Sequence, residues 1–222
     1  MSSKNEIKKK ILKIGKEGLK CGKKWKKEVG DIPFNAILGA IFGGRFGDKM
    51  GHRCFEKLRI IAKNTQKIPE FLRSIDNAGL HELFSKEIKT GWKPELVVNA
   101  IKALLELDKK YNLRSTSLEH IDKPEKFYEE LRKIPILRGD EIGPWIALEL
   151  VRNYNLKLPK NIELPKSTKD CLKVLGLTPS DFSLKEYPCV DVAFEKRDRK
   201  GDKIRKYEPH KLIEFFDKYK DP

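Results

Sequence analysis

Apolar residues recur at three- and four-residue intervals along most of this chain, the spacing that places them on one side of an α-helix. The clearest run is 95–111, where Leu96, Val97, Ala100, Ile101, Leu104, Leu105 and Leu107 share a face. Residues 5–28 carry an irregular stripe of Ile7, Ile11, Ile14, Leu19 and Trp25 with lysines over the rest, and Asp31-Ile32-Pro33 ends it. Phe34 to Phe42 is apolar almost throughout, which predicts a helix buried on all sides. Helical spacing resumes over 47–63 through Met50, Cys54, Leu58 and Ile61. Further helices are predicted over 69–75, 79–88, 122–134, 144–154, 166–176 and 210–219. Pro69, Pro94, Pro124 and Pro144 suit first turns, and Gly176 suits a C-terminal cap. Only Val190–Phe194 and Lys203–Tyr207 read as short strands. The pattern predicts an all-α protein without internal repeats.

Composition narrows this. The 222 residues are 39% hydrophobic and 36% charged, enough for a packed core and against wholesale disorder. No apolar run approaches the ~18 residues of a membrane helix, and no leader pattern opens the chain, so a cytoplasmic protein with no membrane partner is expected. Lys and Arg number 48 against 33 Asp and Glu, a net charge of +15. Residues 1–28 hold eleven Lys and three Glu, so +8 of that excess sits at one end. Such asymmetry points to a polyanion, most often nucleic acid. The competing reading is a solvated lysine face of a heat-adapted protein, which the single Gln and two Met also fit.

Metal and cofactor chemistry finds no foothold. Cys21, Cys54, Cys171 and Cys189 form no CxxC clip, and His52, His81, His120 and His210 are scattered. The cysteines read as small core residues. No phosphate-binding loop, dinucleotide fingerprint or nucleophile elbow is present. No cofactor and no side-chain metal site are expected.

Residues 131–151 carry the most informative punctuation. One helix ends at Lys133-Ile134-Pro135, a tight connection holds Gly139 and Gly143, and Pro144 opens the next helix, with Ile142 as an apolar anchor. This is the layout of a helix-hairpin-helix. The free N–H groups opening the second helix, and its dipole, favour an anion there. Such a hairpin holds DNA by its backbone without reading sequence. The amides around 139–145 would bind phosphate, and the hairpin carbonyls offer a place for a metal ion. An ordinary helical corner fits the same residues.

With these pieces the chain resembles the endonuclease III-like helix-hairpin-helix (HhH-GPD) superfamily of DNA glycosylases over about residues 32–194. Phe34–Phe42 followed by 48–58 is similar to the family's opening helix pair. Ile88-Lys-Thr-Gly-Trp92 with 98–111 is similar to the element before the hairpin, and 131–147 to the hairpin itself. Leu164–Gly176 resembles the segment that ends in a helix and Leu-Gly, and Val190–Phe194 the closing helix. The resemblance implies a two-lobed helical fold: a basic helix at 1–30, one lobe at 31–121 and a second at 122–222. It also implies a monomer that contacts the DNA backbone through Gly139, Ile142, Gly143, Trp145, Lys166 and Lys169. An extruded base would stack on Trp92 and Trp145, with Phe42 and Phe46 as further aromatic candidates.

The departures decide the expected chemistry. Trp145 stands where bifunctional members keep the lysine that attacks the sugar, so water attack without a Schiff base is implied. The family's Asp follows a Pro by two or three residues; after Pro165 those positions are Ser167 and Thr168. The developing sugar cation needs a carboxylate that neither supplies. Asp170 and Asp191 are the expected catalytic acids, with Asp140 and Glu141 nearby, and each also reads as a capping or surface carboxylate. The family's iron–sulfur loop is missing, since Cys189 has no companions. Two alternatives stay open: an inactive nucleic-acid-binding module, and an N-glycosidase acting on a modified nucleoside or RNA.

Overall fold

A computed structural model describes residues 3–21, 31–43, 48–195 and 203–219. The protein is all-α: among the described residues no strand forms and there are eleven α-helices. The helices are α1 Lys4–Cys21, α2 Pro33–Gly43, α3 Asp48–Ile61, α4 Ile68–Ser74, α5 Asn77–Glu82 and α6 Pro94–Tyr111. There follow α7 Pro124–Leu131, α8 Ile142–Tyr154, α9 Lys166–Val174, α10 Tyr187–Glu195 and α11 Pro209–Lys218. Among the described residues no helix is long and apolar enough to cross a membrane.

The chain divides into two compact units, one of residues 1–23 with 162–222, the other of residues 24–161. In the second unit α2 is the centre. All of its residues are buried, and α3, α6 and α8 pack around it. Apolar character on every side is what that position demands. Its Asn35 is the polar exception; the side-chain amide donates to the Thr65 carbonyl at 3.1 Å. Around it, α6 presents the predicted stripe from Val97 to Leu107 and ends at Asn112 in the left-handed region (φ 47°). Tyr154, which closes α8, is fully buried. Burial first, then the charges of Glu149 and Asp31, pushes its phenol far above the ordinary 10.

The first unit is built on α1 against α10. Ile11 and Ile14 are fully buried, and Gly15 and Gly18 bring the two backbones close. The segment 190–194 is therefore helical, where its valines suggested a strand. Tyr187, Val190, Asp191, Ala193 and Phe194 are buried, the i, i+3, i+4 spacing of one helix face, so packing on α1 overrides β-propensity. The other expected strand is a 3₁₀ turn at Ile204–Lys206. After α9, Gly176 takes φ +70°, and the Leu177 amide closes on the Leu172 carbonyl at 2.9 Å, as its predicted capping role requires. Cys54 and Cys171 are buried and Cys189 is partly so. Burial pushes the Cys54 thiol up, which keeps it protonated and suits a core residue.

Candidate nucleic-acid interface

The connection between α7 and α8 is held from inside. Its turn closes through the Ile134 carbonyl, which accepts from the amides of Leu137 (2.8 Å) and Arg138 (3.1 Å). Ile134, Ile136 and Leu137 are buried beneath it. Arg132, at the C-cap of α7, reaches forward to the same turn. Its Nη2 donates to the carbonyls of Arg138 (3.1 Å) and Gly139 (3.4 Å), while its guanidinium lies 5.8 Å from the Tyr128 ring centroid. Lys133 and Arg138 are exposed on this connection.

The two glycines of the hairpin do different jobs. Gly143 is buried, and a Cβ there would lie 2.1 Å from the Leu137 carbonyl oxygen. It lets the first turn of α8 approach the connection. Gly139 is exposed, with no atom within 4 Å of its would-be Cβ. α8 starts at Ile142, so Pro144 is its third residue and Trp145 its fourth. Ile142 and Trp145 are half-buried, and the Trp145 amide donates to the Glu141 carbonyl at 3.2 Å.

Trp92 belongs to the same unit. Its indole N–H donates to the Ile41 carbonyl at 3.2 Å, and its backbone exchanges hydrogen bonds with Thr90 Oγ1. The ring is thus anchored near the end of α2 and half-buried. Phe42 is completely buried, with its ring centroid 5.7 Å from that of Phe84, and is core. Trp25 and Phe46 lie outside the described residues.

The expected acids and lysines belong to the other unit. Asp191 on α10 is completely buried, and the Thr168 hydroxyl on α9 donates to its Oδ1 at 2.9 Å. Asp170 is exposed on α9 and pairs with Lys166 at 2.9 Å. Lys169 faces Glu163 at 3.4 Å. The structure thus joins Asp191 to Thr168, one of the two positions where the resemblance looks for an acid. It gives both candidate DNA-contacting lysines a carboxylate partner.

The basic helix is part of the core. On α1, Lys8 donates to the Asp181 carbonyl and lies 5.2 Å from the Phe182 ring centroid, and Lys10 donates to the Phe216 carbonyl at 2.6 Å. Lys4, Lys9 and Lys16 remain exposed. Deleting the helix would remove Ile11 and Ile14 from the core, so only point changes can test its charge. Lys9→Gln with Lys16→Gln should lower the log–log salt slope of DNA affinity by about 0.9 per lost phosphate contact. Salt titrations by fluorescence anisotropy would measure this, and an unchanged slope would make these lysines a solvated face.

Two features escaped the sequence pattern. Asp108 is fully buried and forms an ion pair with Arg73, and Arg114 Nε lies 3.6 Å away. Its place four residues after Leu104 on the apolar stripe was the available signal. The forward reach of Arg132 left none, because it depends on the turn. Among the described residues no group of three His, Cys, Asp or Glu side chains could hold a metal ion. The chain matches no family model, no curated protein and no solved structure.

Proposed function

We propose that this protein binds DNA through its backbone and excises a damaged base by water attack. The observation that carries the reading is the α7–α8 connection: a braced turn with exposed cations, followed by the Ile142 and Gly143 amides that open a 13-residue helix ahead of Pro144. Partial positive charge at such a helix start suits a phosphate, and backbone contacts of this kind carry no base preference. Gly139→Ala is the clean probe of phosphate contact, because Gly143→Leu would break the turn itself.

For the chemistry, Asp191 is preferred over Asp170. A carboxylate stabilises a sugar cation most when sheltered from water. Asp191 is sheltered and oriented by Thr168, whereas Asp170 is screened by solvent and Lys166. Trp145 supplies no nucleophile in place of a lysine, so no covalent adduct forms. Incubation with a panel of damaged duplexes should release the base and leave an intact abasic strand, without borohydride-trapped adduct or nicking. Asp191→Asn should slow release by roughly 10²–10³-fold, the scale for losing a positioned transition-state stabiliser. Asp170→Asn should leave it unchanged. A trapped adduct would overturn water attack, and full release by Asp191→Asn would overturn the assignment.

The complete burial of Asp191 and the solvent pairing of Asp170 favour a second reading, a clamp that binds DNA without catalysis. DNA binding with no release across the panel would select it.

A further inference from the structure

The structure assigns Arg132 the role of a built-in cation for the α7–α8 connection, in the position where a hairpin of this kind could instead hold a metal ion. The function attached to it rests on the DNA-backbone reading above; its hold on the connection does not.

The carbonyls of Arg138 and Gly139 converge on one donor, Nη2 of Arg132, at 3.1 and 3.4 Å. Nη1 lies 3.5 Å from the Tyr128 hydroxyl, and the guanidinium sits 5.8 Å from that ring centroid. The stem matters as well: Cγ of Arg132 would be 3.3 Å from a Cβ placed on Gly143. One side chain therefore spans the end of α7, the turn and the start of α8. A metal ion bound by the same two oxygens would meet a guanidinium within hydrogen-bond distance of its ligands, so these carbonyls do not fit a metal. The bonds of a guanidinium to carbonyls are charge-assisted. Unlike a bound ion, the guanidinium cannot exchange away.

Two consequences follow. The shape of the connection is independent of the monovalent cation in solution. The connection also carries a fixed positive charge behind the amides that would meet a phosphate. Arg132 is thus a positioning residue for backbone binding, acting through the turn without touching a base.

Amide hydrogen exchange of residues 137–143, without DNA, tests this in potassium chloride and in tetramethylammonium chloride at equal ionic strength. The parent should show the same protection in both. Arg132→Met keeps a stem beside Gly143 but removes the donors, and it should lose at least tenfold protection there while α2 and α6 stay protected. Arg132→Lys retains one charged donor and should lose less, and it carries the comparison if the Met variant unfolds. Potassium-dependent protection in the parent would overturn the proposal, as would unchanged protection in Arg132→Met. In a parallel anisotropy assay with a plain duplex, parent affinity should be equal in the two salts and several-fold weaker for Arg132→Met. Expected exchange behaviour without any DNA binding by the parent would overturn the DNA reading and leave Arg132's hold on the turn standing.

Discussion

Gly15→Val is expected to unfold the unit that α1 forms with the C-terminal helices. A Cβ on Gly15 would lie 2.0 Å from the carbonyl oxygen of Cys189, 2.6 Å from its carbonyl carbon and 2.9 Å from its Cα. All three are backbone atoms of α10 and cannot swing aside. Gly18 is more forgiving, because its would-be Cβ meets a side-chain atom, Cγ1 of Val192, at 2.4 Å. Overpacking typically costs about 1–3 kcal/mol and more where the neighbour is rigid. That is a large share of the roughly 5–15 kcal/mol by which a domain is stable. Gly15→Ala makes the sharper test. On an isolated helix it would gain about 1 kcal/mol from propensity, so a loss of stability can come only from the crossing. Thermal melting with hydrogen exchange should show α1 and α10 losing protection while α2 and α6 keep theirs. An alanine variant as stable as the parent would mean that the two backbones do not approach so closely.

Arg73→Met should destabilise the other unit, by less than the roughly 3–5 kcal/mol of leaving a buried charge with no partner, because Arg114 still pairs with Asp108. The Asp108 side chain has no exposure, and without Arg73 its nearest cation is Arg114, 3.6 Å away. Asp108→Leu should cost less, because Arg73 is a quarter exposed and can turn to water. The double variant should recover most of the loss. Asp108 Oδ1 and Arg73 Nε have no hydrogen-bond partner in the native pair, so an apolar replacement leaves fewer buried polar atoms unsatisfied. Urea unfolding of the four proteins gives the cycle, and additive single effects would show that the two side chains act independently.

How much of this was legible beforehand varies with the kind of interaction. The all-α class, the buried α2, the amphipathic α6, the proline-led helices and the cap at Gly176 follow from spacing and local stereochemistry. Those terms act within a few residues, so the chain alone determines them. The 190–194 segment was ambiguous because its residues suit either element, and only contact with α1 resolves it. The division into units depended on tertiary structure too: the basic helix packs with the C-terminal third, and its Lys8 and Lys10 bind carbonyls there. At the candidate site, the glycines and the helix start were legible. Their roles were not, because the burial of Gly143 and the openness around Gly139 depend on where the turn folds back. The same is true of the carboxylates. Asp170 and Asp191 are alike as letters, and their difference lies in solvent exposure and in one hydroxyl from Thr168, 23 positions away in sequence. Local pattern thus determined which segments are helical and which faces are apolar. Burial, charge pairing and the reach of Arg132 arise from contacts between segments, and only the tertiary structure decided them.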